Sequence, residues 1–305
     1  MLMLKTAALL VAGFAGVQMM SAKVESTPSA RPDYSKQIEQ WRQGRLQRLT
    51  APDGWLSLAG LHWLKDGANR IGSATDNDLV LGVGPAHFGV VTLDHGKATF
   101  KLDRRAKATI DGKARSSAEL LDDSHEHPTT VAAGPVSFYL IDRNGRKGLR
   151  VKDSQAATRT QFRGIESFPI DPSWRIEARW VPFEPPHTLE TPNVLGQMDS
   201  YPVPGKAVFE RDGKTFELLP VIEVPGDTQL FLIFADRTSG KETYGAARFL
   251  YADMPRDGKI VLDFNQAYNP PCAFTAFATC PLAPPGNRLD LRVTAGEKKY
   301  AGGPH

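Results

Sequence analysis

The chain has 305 residues, 41% of them hydrophobic and 23% charged, with a net charge of +3. So even a balance excludes a nucleic-acid role driven by bulk charge. A chain of this length buries a sizeable core without metals or many disulfides.

Met1 to Lys5 carries one positive charge, and no charge follows through Met20. One cation before a short apolar run is the layout of a secretory signal peptide. The run is shorter than the roughly 20 apolar residues that span a bilayer. Cleavage is expected after Ala22, which removes Lys5, leaves a net charge of +2, and predicts a periplasmic or secreted protein with no membrane insertion. Residues 23–32 read as a polar, proline-rich leader. Tyr34, Ile38, Trp41, Arg45 and Leu49, joined by Leu46, recur at helical spacing, so residues 23–53 hold the leader and one amphipathic helix.

Strand signals dominate after that. Residues 88–93 and 98–102 flank Asp94-His95-Gly96-Lys97, and residues 136–141 and 148–151 flank Asp142-Arg143-Asn144-Gly145. Both read as hairpins, and Asn-Gly suits a tight turn with positive φ. The basic stretch Arg143, Arg146, Lys147 and Arg150, beside Asp142 and Asp153, reads as a solvated hairpin tip. Trp174, Ile176, Ala178 and Trp180 alternate with Arg175, Glu177 and Arg179, the period of a half-buried strand. Another hairpin turns at Arg211-Asp212-Gly213-Lys214, and residues 229–234, 246–251 and 259–264 continue the series. Short strands with glycine turns predict an all-β fold, with a boundary in residues 153–160. Cys272 and Cys280 are the only cysteines. In an oxidising compartment they are expected to form a disulfide closing residues 273–279, worth about 2–3 kcal/mol on the chain-entropy model.

Two resemblances add to this reading. Asn69-Arg70-Ile71-Gly72-Ser73, Asn77-Asp78-Leu79-Val80-Leu81, His87, Ile110-Asp111-Gly112 and Leu120 resemble a forkhead-associated domain. The resemblance implies a β-sandwich over residues 54–153, with His87 as a structural histidine. Ser73 stands where that family has arginine and Gly84 where it has serine, so phosphopeptide binding is not expected. Asp236-Arg237-Thr238-Ser239-Gly240, Thr243-Tyr244-Gly245, Asp263-Phe264-Asn265, Asn269-Pro270-Pro271-Cys272 and Gly54-Trp55-Leu56-Ser57 resemble a bacterial domain-of-unknown-function family. That resemblance implies an architecture without an activity. The whole expectation is a short N-terminal helix, a forkhead-associated-like β-sandwich, and a second antiparallel β-domain over residues 154–305.

Polar residues gather at strand ends in the second half. If the strands are sheet neighbours, Asp236, Tyr244, Arg248, Asp263, Asn265 and Asn269 meet at one rim, where Arg248 grips the carboxylate of a small polar or anionic ligand. The same residues also suit turn capping and loop pinning. An alternative is a hydrolase with Asp236 and Asp263 as acid and base. A third reading makes the Trp-rich residues 54–64 a docking surface, unless Trp55 and Trp63 are buried. His125-Glu126-His127 lacks an obvious third ligand, so neither a metal nor a cofactor is implied.

Overall fold

The computed structural model describes residues 33–303. The expected signal peptide (1–22) and leader (23–32) lie outside the described residues. Helix α1 (Tyr34–Thr50) buries Ile38, Arg45 and Leu49 along one stripe. Arg45 holds an apolar position because its guanidinium finds Glu297 at 3.2 Å. Among the described residues no helix is long and apolar enough to cross a membrane.

The chain then turns through a 3-10 turn, Trp55–Ser57, into ten short strands. These are β1 (Leu58–Trp63), β2 (Gly67–Gly72), β3 (Leu79–Val80), β4 (Gly89–Asp94), β5 (Lys97–Leu102), β6 (Thr109–Ile110), β7 (Ser117–Leu120), β8 (Thr130–Ala133), β9 (Val136–Arg143) and β10 (Arg146–Asp153). They build two five-stranded sheets, ordered β1-β10-β9-β8-β6 and β3-β2-β4-β5-β7. Side chains from both sheets share one core, with Phe138 edge-on to Phe88 at 5.2 Å and to Phe100 at 5.4 Å. The β9–β10 turn has Asn144 at φ 54° and Gly145 at φ 82°, the two positive values that a two-residue hairpin turn requires.

A single-turn α2 (Ala157–Thr160) leads into β11 (Arg175–Pro192), β12 (Met198–Arg211), β13 (Lys214–Leu218), β14 (Gln229–Phe234), β15 (Arg248–Asp253) and β16 (Lys259–Asp263). The order β13-β12-β11-β16 forms one sheet, and β14 pairs with β15 alone. The β14–β15 ribbon is buried on both faces. Leu230, Leu232, Phe234, Leu250 and Ala252 join a core with Phe264, while Phe231, Ile233 and Phe249 face a second core. Residues 264–303 hold no strand and wrap these cores through 3-10 turns. The fold is all-β, and the residues from Tyr34 onward cluster as one compact unit.

Two surface expectations are corrected. His87 is not a structural histidine: its side chain is exposed, 3.8 Å from Asp76. The basic hairpin is not a solvated tip. Arg143 pairs with Asp123 at 2.7 Å, Lys147 with Asp122 at 2.6 Å and Asp142 at 2.9 Å, and Arg150 is buried. Only Arg146 remains exposed, over the half-buried Trp63 ring at 4.2 Å.

Burial alone would raise the Asp122 carboxyl, but the Lys147 ammonium and the Ser124 hydroxyl and N–H outweigh it and hold its pKa well below the carboxylate range. A group with a depressed folded pKa contributes stability above its unfolded pKa of about 4 and loses it as pH falls toward the folded value. Stability measured by denaturant should therefore fall between about pH 4 and pH 2, with a shallower slope in Asp122→Asn.

Candidate functional site

Five of the six residues expected at a rim are buried, Tyr244 is half-buried, and they work in separate places. Their strands are not neighbours in one sheet: β15 pairs with β14, and β16 with β11. Arg248 opens β15 and is 1% exposed. Its Nη1 donates to Asp236 Oδ2 at 2.9 Å and to the Val293 carbonyl at 3.1 Å, and its Nη2 donates to the Ala295 carbonyl. Burial pulls its pKa down, with the Asp236 carboxylate acting in the other direction. Asp236 Oδ1 accepts the Thr238 N–H at 2.7 Å, the Thr238 hydroxyl at 2.6 Å and the Val293 N–H at 3.3 Å.

Asp263 does not reach Arg248. It accepts the Tyr34 hydroxyl at 2.8 Å and caps the 3-10 turn Phe264–Gln266. Asn265 exchanges hydrogen bonds with the Asp171 backbone at 3.0 and 2.8 Å and donates to the Tyr34 hydroxyl at 2.8 Å. Asn269 gives its N–H to Glu297 at 2.7 Å and its side-chain amide to the Lys298 carbonyl at 2.8 Å. The Tyr244 hydroxyl donates to the Cys272 carbonyl at 3.3 Å. These contacts fasten α1 and the C-terminal wrap to the strands. The Asp236 side chain is 0% exposed and ion-paired, which gives water no access to it as an acid or base.

An open cleft lies beside α1. Trp41, Arg45 and Arg48 project from the helix toward β14, β15 and the loop at Tyr268, enclosing about 240 Å³ with Trp55, Glu223 and Tyr251. Tyr251 and Tyr268 stack with centroids 6.3 Å apart, and Phe231 lies 5.0 Å from Tyr251. Arg45 covers Tyr268 at 4.6 Å and is tied to the Asn269 carbonyl at 2.8 Å. The Tyr251 hydroxyl donates to Glu223 at the cleft mouth. The walls Arg48 and Trp55 are shared with a second recess of about 370 Å³, lined also by Asp53, Tyr139 and Lys152.

The Tyr139 and Lys152 wall of the second recess, with Arg150 buried beside it, follows from strand alternation. Leu149 and Val151 of β10 enter the sandwich core, so Arg150 and Lys152 take the opposite face. Tyr139 of β9 sits opposite Arg150 in register. Arg150 is 2% exposed. It donates to the Tyr139 hydroxyl at 3.2 Å and to Thr279 Oγ1 at 3.4 Å, and lies 5.3 Å from the Trp55 ring centroid. Its Nε is buried without a hydrogen-bond partner. Lys152 Nζ donates to the Asp53 main-chain carbonyl at 2.6 Å, and burial lowers its pKa. Among the described residues, no carboxylate lies within ion-pairing distance of Arg48, Arg150 or Lys152. None of the three stands out from the sequence as a site residue, although for Arg150 and Lys152 the alternation with Leu149 and Val151 carries the signal.

Residues 160–298 match the family described as Protein of unknown function (DUF1684). All six expected rim residues and both cysteines fall in this DUF1684 segment, whereas Arg48, Trp55, Tyr139, Arg150 and Lys152 precede it. The chain is also similar to a protein of Haloarcula marismortui known by its solution NMR structure, the uncharacterized protein from gene locus rrnAC0354. The two are 33% identical, over 46% of this chain and 78% of that one, with a TM-score of 0.39. No curated protein matches the chain.

Within the DUF1684 segment, Cys272 and Cys280 are free thiols set face to face. The Cys272 N–H donates to Cys280 Sγ at 3.2 Å, and the Cys280 N–H to Cys272 Sγ at 3.3 Å. His125-Glu126-His127 lies on an exposed bend, and among the described residues no group of three or more His, Cys, Asp or Glu is placed to hold a metal.

Proposed function

We propose that the cleft around Trp55 binds a small anion with a flat, largely apolar body. The small polar or anionic ligand expected from the sequence is thereby narrowed to an anion with an apolar body, proposed beside Trp55 instead of at Arg248. One observation carries this reading: Arg48 and Lys152 line one recess with Trp55, Arg150 lies 5.3 Å from the same indole, and none of the three is ion-paired among the described residues, although Asp53 also lines the recess. A buried guanidinium without a counter-charge costs several kcal/mol. A ligand carboxylate or phosphate offsets that cost through charge-assisted hydrogen bonds. The half-buried rings of Trp41, Trp55 and Tyr268 and the exposed ring of Tyr251 offer stacking surfaces for the body. The two recesses together have the size of a small-molecule site. The export signal read in residues 1–22 supports placing this binder in the periplasm or outside the cell.

Calorimetric titration at low salt with aromatic carboxylates and aryl phosphates tests the proposal. Saturable binding that weakens with added salt is expected, and Arg48→Met and Lys152→Met should each reduce affinity by about tenfold, the worth of one charged hydrogen bond. Arg48 is exposed, so its loss leaves the fold intact. An inert panel, or equal affinity in Arg48→Met, overturns the assignment.

A further inference from the structure

We propose that Cys272 and Cys280 are a reversible dithiol–disulfide couple, in which Cys272 is the attacking sulfur and Arg150 its positioning residue. The two sulfurs face each other, since each accepts the backbone N–H of the other cysteine. They are not equivalent. Cys280 is buried in the apolar cluster of Val203, Phe231 and Ala278, while Cys272 is only half-buried. Arg150 reaches this pair from the sandwich half through Thr279, the residue before Cys280, at 3.4 Å; Arg143, which is paired with Asp123, shares that hydroxyl at 3.0 Å. Its guanidinium has no carboxylate partner among the described residues, so its positive field is free to act on a sulfur anion.

The groups facing the sulfurs come from three elements. Arg150 comes from β10, Tyr244 from the loop before β15, where its hydroxyl holds the Cys272 carbonyl, and Tyr201 from β12. The hydrogen bond from Cys280 holds the Cys272 pKa below the ordinary thiol value despite burial, and Arg150 adds to the effect. Burial, reinforced by Cys272, pushes Cys280 far up. The thiolate is the nucleophile in disulfide exchange, which selects Cys272 to attack first.

The oxidant is a small disulfide. Cys272 gives its proton to solvent, and its thiolate attacks one sulfur of the disulfide. That S–S bond breaks and releases one thiolate. Cys280 then loses its proton and attacks Cys272 Sγ, expelling the second thiolate. The two cysteines give up two electrons, and the small disulfide takes them and both protons to become two thiols.

Glutathione disulfide added to the reduced full-length protein should give an intramolecular bond, read by intact mass as the loss of two hydrogens. Cys280→Ser should stop at a mixed glutathione adduct. Iodoacetamide should alkylate Cys272 in Cys280→Ser about tenfold faster than Cys280 in Cys272→Ser at neutral pH. In Cys280→Ser, adding Arg150→Met should move the pH midpoint of alkylation upward, and Arg150→Lys should restore it. Equal alkylation rates of the two cysteines, or an unmoved midpoint in a folded Arg150→Met variant, overturns the proposal. If Arg150→Met does not fold, the comparison of the two serine variants still decides it. The anion proposal is tested at Arg48 and Lys152, so either reading can fail without the other.

Discussion

Replacing Asp236 with alanine should destabilise the protein by about 3–5 kcal/mol, because it strands a buried guanidinium without its counter-charge. Arg248 is 1% exposed, and Asp236 is the carboxylate it touches. The same substitution removes the acceptor for both donors of Thr238 and for the Val293 N–H, so the loop at residues 236–243 and the wrap at 293–295 lose a shared anchor. Denaturant unfolding measures the loss. The double variant Asp236→Leu with Arg248→Met should recover much of it, since exchanging a buried ion pair for apolar side chains is often neutral. If Asp236→Ala is as stable as the parent, the pair is no anchor, and a ligand role for Arg248 returns.

Phe264→Ala should cost about 3–5 kcal/mol, the usual range for emptying a large aromatic site in a core. Phe264 packs against Phe234 at 5.4 Å, Trp174 at 6.0 Å and Phe209 at 6.1 Å, which joins the β14–β15 ribbon to the four-stranded sheet. Gly296 binds the wrap to the same place. A Cβ there would lie 2.3 Å from the Ala267 carbonyl oxygen and 2.8 Å from that of Phe264, so the wrap lies directly against this turn. A loss below about 1 kcal/mol in thermal and denaturant unfolding would show that this junction does not hold the two layers together.

Period-2 alternation and turn glycines act through local backbone geometry, so the hairpins at His95-Gly96, Asn144-Gly145 and Asp212-Gly213 were readable and formed. The stripe of Ile38, Arg45 and Leu49 predicted the buried face of α1 for the same reason. The Asp263-Phe264-Asn265 motif stands out in the sequence for its polar members. Its aromatic centre is the core residue, and the flanking Asp and Asn hold Tyr34 and Asp171.

The cleft was not legible, because it is assembled from distant segments. Arg48 and Trp55 lie near the start of the chain, Tyr139, Arg150 and Lys152 on a hairpin, and Tyr251 and Tyr268 in the second half. Arg150 looked like one more surface cation among Arg143, Arg146 and Lys147. Nothing in its neighbours' identities says that Trp55 and the residues around Thr279 cover it. Sheet pairing is hidden on the same ground: chain order suggests that β15 and β16 share a sheet, whereas the long β11 takes β16 as its partner.

The cleft can be located directly by crystallising the protein with an iodinated aromatic carboxylate and mapping the anomalous signal of iodine. The carboxylate should meet Arg48 and Lys152, with the iodine-bearing ring between Trp41, Trp55 and Tyr251. Iodine bound elsewhere, or an empty cleft at a concentration that saturates binding in solution, would contradict the account.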